Sequence, residues 1–159
     1  KWGGVYFTDP RYGSQDGTEQ NGFHVYYISP NGKQVTRVID DLVKPNGIIG
    51  KSDNKTLFVA DAGGGKTYAY NIAGPGKLGN KSLFCESGSD GMTLDHVGNL
   101  YLTTNSVRVF NSVGRDLGSI SVPEGPANVT FGGQDYSTLF ITSKPGLYSV
   151  KMKVHGDGR

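Results

Sequence analysis

Apolar residues in this chain arrive in short bursts that alternate with polar ones, and no stretch sustains the spacing of an amphipathic helix. Alternation of this kind predicts half-buried strands. The candidates are residues 4–8, 23–29, 34–40, 56–61, 67–72, 82–86, 99–104, 106–111, 117–122, 138–142 and 146–152. Turn signals such as Pro30-Asn31-Gly32, Ser52-Asp53-Asn54 and Ser112-Val113-Gly114 separate them. The expected class is all-β.

Superimposing the chain on itself shows a repeat, in which Asn or Asp is followed by small or apolar residues, then a turn, then a strand opening on Leu. Pro45-Asn46-Gly47-Ile48 precedes Thr56-Leu57-Phe58-Val59, and Ser89-Asp90-Gly91-Met92 precedes Asn99-Leu100-Tyr101-Leu102. The third copy is Ala127-Asn128-Val129-Thr130 before Thr138-Leu139-Phe140-Ile141. Asn46 stands 11 residues before Leu57, Asp90 stands 10 before Leu100, and Asn128 stands 11 before Leu139. A period of roughly 40 residues with four short strands per unit is a β-propeller signature. A β-sandwich or open barrel is the alternative, although neither requires such a repeat.

In a propeller the polar position opens the innermost strand of each blade, so Asn46, Asp90 and Asn128 are expected to converge at one end of the central channel. The segment 4–8 matches the second strand of a blade whose inner strand would precede the chain. The expected organisation is one partial propeller over 1–159, with blade remnants at 1–43 and blades at 44–88, 89–126 and 127–159. About three and a half blades leave strand edges open. A second chain, a second copy or further sequence is expected to complete the ring.

Composition narrows the partners. The 16 Lys and Arg nearly balance the 14 Asp and Glu, and the basic residues are scattered singly, so nothing favours nucleic acid. No apolar run reaches the length of a membrane span and no signal-peptide pattern opens the chain, which predicts a soluble protein without deciding between cytoplasm and a secreted or periplasmic location. Cys85 is the single cysteine, and its apolar neighbours Leu83 and Phe84 suit a packed thiol better than a nucleophile.

The convergent positions carry hard oxygen donors: an amide carbonyl on Asn46 and a carboxylate on Asp90. With no His or Cys in the same register, Ca²⁺ or another hard divalent cation is favoured over zinc. Asn-Gly and Asp-Gly are also common turn dipeptides, but the shared register argues for a site. Asn128 is balanced between lining that site and capping its own backbone. Residues 60–67, including Gly63-Gly64-Gly65-Lys66-Thr67, fit a relaxed phosphate-loop pattern. The following Tyr68-Ala69-Tyr70 alternates like a strand rather than a helix, so a hairpin is expected instead. His24, His96 and His155 lie outside the repeat register, and no Ser-His-Asp arrangement is supported.

Taken together, Val5-Tyr6-Phe7-Thr8-Asp9-Pro10-Arg11-Tyr12-Gly13, Lys44-Pro45-Asn46-Gly47-Ile48, Thr56-Leu57-Phe58-Val59-Ala60-Asp61, Ser89-Asp90-Gly91-Met92-Thr93-Leu94-Asp95, Gly98-Asn99-Leu100-Tyr101 and Phe131-Gly132-Gly133-Gln134-Asp135 resemble the senescence marker protein, gluconolactonase and regucalcin family of six-bladed propellers. The resemblance implies hydrolysis of a lactone or related ester at a divalent metal, usually calcium, on the channel axis. It implies that Asn46 and Asp90 bind the metal and that Asp90 is the base or nucleophile. Asn128 and Tyr12 are expected to line the substrate pocket. Two further family positions, a Glu and an Asn, precede the match at Val5, so the site is expected to be completed from outside this chain. The alternatives are a non-catalytic propeller that serves as a binding platform and a hydrolase of organophosphates or aryl esters.

Overall fold

The structure is a computed structural model that describes residues 3–158; residues 1, 2 and 159, at the ends of the expected domain, lie outside the described residues. Fourteen strands and no helix are found among them. They form four antiparallel sheets. The first contains β1 (Val5–Asp9), β2 (His24–Ile28) and β3 (Val35–Ile39), and the second contains β4 (Pro45–Gly50), β5 (Thr56–Asp61), β6 (Lys66–Gly74) and β7 (Lys77–Cys85). The third holds β8 (Met92–Leu94), β9 (Leu100–Thr103), β10 (Val107–Phe110) and β11 (Asp116–Ile120). The fourth holds β12 (Asn128–Gly132), β13 (Thr138–Ser143) and β14 (Gly146–Lys151). Strands follow one another in sequence order within each sheet. β4, β8 and β12 lie side by side and β1 lies against β4, which places the sheets in a row around a common axis.

Alternation along each second strand explains this stacking, because successive side chains of a strand point to opposite faces. In β5, Leu57 and Val59 pack with Val25, Ile39 and Tyr70 at the joint with the first sheet. Phe58 and Ala60, between them in sequence, pack with Met92, Leu94, Leu100 and Leu102 at the joint with the third. Tyr101 in β9 turns the other way and joins Val107, Val129, Phe131, Leu139 and Ile141 at the joint with the fourth. The core is therefore three layers between four sheets. Each fully buried leucine, such as Leu100 or Leu102, contributes roughly 2 kcal/mol by the apolar area it removes from water. The outer faces of the end sheets are less covered: Val5 and Leu147 are 56% and 68% exposed.

The glycine-rich segment after β5 is a hairpin into β6, and its amides face inward rather than towards a phosphate. Asp61, 3% exposed, accepts hydrogen bonds from Gly64 N at 3.0 Å, Lys44 N at 2.8 Å and Val43 N at 3.0 Å. One carboxylate thus ties the hairpin to the chain entering β4. Residues 152–158 cross the sheets at the opposite end from the start of the inner strands. Gly156 bridges Asp95, Asp157 accepts from Ser52 N at 2.7 Å, and the rings of His96 and His155 stack 3.8 Å apart.

Cys85 ends β7 inside the core, where burial pushes its thiol up from 9.0 to about 11, partly offset by a hydrogen bond with Thr67. Burial likewise raises Tyr70 and Tyr101, with neighbouring carboxylates adding to it. Groups whose folded values lie above their unfolded ones stabilise the fold below the unfolded value and lose that contribution as pH rises through the folded one. The melting temperature is therefore expected to hold level up to pH 9.0 and to fall from there through about 11. The Cys85 thiol is expected to stay unreactive to a disulfide reagent at pH 8 until urea unfolds the chain. Rapid labelling of the folded protein would contradict the assignment.

Candidate metal and substrate site

Asn46 is the second residue of β4, Asp90 lies two residues before β8, and Asn128 opens β12. The three inner strands begin at one end of the axis, so the residues that open them meet there. Asn46 Nδ2 donates to Asp90 Oδ1 at 2.8 Å and to the Tyr12 hydroxyl at 2.8 Å. The amide orientation follows from charge, since Oδ1 turned towards the carboxylate would set two acceptors against each other. Both amide protons are thereby used and Asn46 Oδ1 is left as an acceptor. The Tyr12 oxygen accepts, so its own proton remains free to donate. Burial and the Asp90 charge raise the Tyr12 value above its ordinary 10.0, against the lowering effect of Asn46, and the hydroxyl stays protonated at neutral pH.

Asn128 stands beside this pair at the start of β12. Its Oδ1 accepts from Val129 N at 2.8 Å, and the residue lines the same cavity as Asn46 and Asp90. That cavity has a volume of ≈ 770 Å³, with Met92, Thr130, Phe140, Thr142 and Leu147 on its walls. The wall residues carry no polar repeat signal, which is why the sequence did not single them out. None of the three histidines lines it.

The glycines after Asn46 and Asp90 are required by close approach rather than by turns. A Cβ on Gly91 would stand 2.7 Å from Asn128 Cα, and one on Gly47 would stand 2.9 Å from Met92 Cε and 3.0 Å from Asp90 O. Gly91→Ala is therefore expected to cost about 2 kcal/mol through overpacking against backbone that cannot yield. Urea unfolding measures this; a stability equal to that of the native protein would contradict it.

The donor set fits a hard cation in kind: one carboxylate and two amide oxygens, with no nitrogen or sulfur ligand among them. It is partial in number. Among the described residues no three His, Cys, Asp or Glu side chains lie together as a metal-holding group, whereas calcium takes about 6–8 oxygens.

A family model described as the SMP-30/Gluconolactonase/LRE-like region matches residues 1–145. The chain belongs to this family. Among curated members similar to it, the gluconolactonase of Zymomonas mobilis is 30% identical over 98% of this chain and 49% of its own length. The lactonase drp35 of Staphylococcus saprophyticus is 33% identical over 76% of this chain and 39% of its own. The chain thus spans about half or less of the curated relatives it matches. A gluconolactonase structure from Xanthomonas campestris superimposes with a TM-score of 0.83 at 31% identity, over 95% of this chain and 54% of that one. The calcium-binding protein regucalcin from Agrobacterium tumefaciens does so at 0.73 and 23% identity, over 89% of this chain and 55% of that one, a likeness of fold. Against this SMP-30/gluconolactonase background the all-β chain is a row of antiparallel sheets with the fold of its larger relatives.

Proposed function

We propose that this SMP-30/gluconolactonase chain forms part of a calcium-dependent lactone hydrolase site. The observation that carries this reading is the hydrogen-bonded pair Asn46 and Asp90, which line one cavity together with Asn128, while Tyr12 is bonded to Asn46 without being one of that cavity's wall residues. Asp90, Asn46 Oδ1 and Asn128 would hold a divalent cation, with further oxygens from water, substrate or residues outside this chain. When bound, the cation would polarise the lactone carbonyl and stabilise developing negative charge. Asp90 accepts the proton of the attacking water, and Asn46 keeps its carboxylate aimed into the cavity. The free Tyr12 proton donates to a ring or carbonyl oxygen of the substrate. Thr130, Phe140 and Leu147 give the cavity a mixed wall suited to a small cyclic ester with both polar and apolar faces.

We also read the row of sheets as part of a six-bladed ring that is closed by a second copy or by further sequence. Among the described residues the two end sheets hold three strands each, where the two middle sheets hold four, so each end sheet is one strand short of its neighbours. The mass of the protein in solution tests this part of the proposal.

Hydrolysis of an aldonolactone, followed by acid release, tests the activity. Turnover is expected, with loss on chelation and recovery on adding calcium. Turnover of a phosphotriester or aryl ester in preference to the lactone would reassign the substrate class. Absence of turnover with all three substrates would favour a binding platform.

A further inference from the structure

Asn46, Asp90 and Asn128 belong to three different sheets, and no ladder of β-hydrogen bonds runs between β4, β8 and β12. Their mutual spacing is therefore set at the joints between sheets. At the first joint, the Thr8 hydroxyl in β1 donates to Asn46 O in β4 at 2.7 Å. At the third joint, Thr103 at the end of β9, 2% exposed, accepts from Gly91 N at 2.8 Å. Its single proton is shared between Gly91 O at 3.0 Å and Ala127 O at 3.2 Å. One hydroxyl thus touches the residue after Asp90 and the residue before Asn128. Thr8 and Thr103 hold the same place in their strands: Val5-Tyr6-Phe7-Thr8 aligns with Leu100-Tyr101-Leu102-Thr103.

The joint between them is closed in another way. Ala60 occupies the equivalent place in β5 and has no hydroxyl. There Gly47 N donates to Ser89 O at 3.3 Å, while Ser89 Oγ turns back on Gly91 O at 2.5 Å and Thr103 O at 3.1 Å. Backbone-to-backbone contact fixes Asn46 against Asp90, and the two threonines fix the outer flanks of that pair.

We propose that Thr8 and Thr103 are positioning residues, whose hydroxyls reach across sheet joints to hold the backbone of the Asn46, Asp90 and Asn128 cluster. Their role in catalysis rests on the hydrolase reading above; their role in geometry does not. Loss of a partner that orients a ligand residue commonly weakens metal binding by about 10–100-fold.

The test compares Thr8→Val and Thr103→Val, which keep side-chain shape and remove the oxygen, with Thr8→Ser and Thr103→Ser, which keep the oxygen. The first readout is the side-chain amide of Asn46 in proton–nitrogen spectra, assigned by its disappearance in Asn46→Asp. The valine variants are expected to move this amide towards the position of a solvent-exposed Asn, and the serine variants to restore it. The second readout is terbium luminescence as a calcium substitute, with affinity expected to fall about tenfold in the valine variants and to recover in the serine ones. Valine variants that melt lower but leave the amide signals and terbium affinity unchanged would overturn the proposal. Thr8 is only half-buried, so its variants decide the matter even if Thr103→Val fails to fold. A native protein that binds no terbium and turns over no lactone contradicts the hydrolase reading alone, and the Asn46 amide then decides the role of the threonines.

Discussion

Asp90→Asn is expected to lower lactone turnover by about 10²–10⁴-fold, the usual contribution of a general base, while leaving the fold intact. Asparagine at this position can still accept from Asn46 Nδ2 through its own oxygen, so the 2.8 Å contact and the shape of the cavity persist. What disappears is the charge and the basicity. Asp90 is exposed and carries no core packing, so its replacement is expected to change stability by no more than about 0.5 kcal/mol. Steady-state rates on an aldonolactone at saturating calcium, with a melting curve of the same preparation, measure both. Turnover within threefold of the native protein would remove Asp90 from the chemistry.

Asp95→Ala is expected to have the opposite profile, costing about 4 kcal/mol of stability. Asp95 is 1% exposed and accepts from four donors: Val97 N at 3.1 Å, Asn99 N at 2.8 Å, Asn99 Nδ2 at 2.7 Å and the Tyr101 hydroxyl at 3.0 Å. Truncation leaves all four donors without that acceptor and empties the turn between β8 and β9. Charge-assisted hydrogen bonds are individually worth about 1.5–3 kcal/mol, and part of the loss is recovered by water entering the turn. Urea unfolding reads the change. A cost below about 1 kcal/mol would mean that the turn holds without the carboxylate, at odds with a buried, fully bonded group.

These two aspartates, close in sequence and unlike in surroundings, show which features a sequence displays and which it hides. Asp90 stood out because its place in the repeat matched Asn46 and Asn128, and a repeat is visible without coordinates. The work of Asp95 and Asp61 depends on which amides fold over each carboxylate, and a turn sequence does not encode that legibly. Alternation marked the outer strands well, from 56–61 to 138–142. The inner strands β4 and β8 begin at or beside Pro45-Asn46-Gly47 and Asp90-Gly91, so they read locally as turns and only the repeat located them. Their glycines serve the packing of neighbouring inner strands, as the Cβ distances at Gly47 and Gly91 make plain. Tyr12 lies in a non-periodic loop and meets Asn46 across 34 residues of sequence; only the family resemblance pointed to it. Phe140 and Leu147 reach the cavity from the fourth sheet through packing that no local pattern records.

Calorimetric titration of calcium into the native protein and into Asp90→Asn tests the site most directly. The proposed site predicts saturable binding by the native protein and an affinity lowered at least about tenfold when the one carboxylate of the donor set is neutralised. Equal affinity in the two proteins, or no calcium binding by the native one, would contradict the assignment of Asn46 and Asp90 to a metal site.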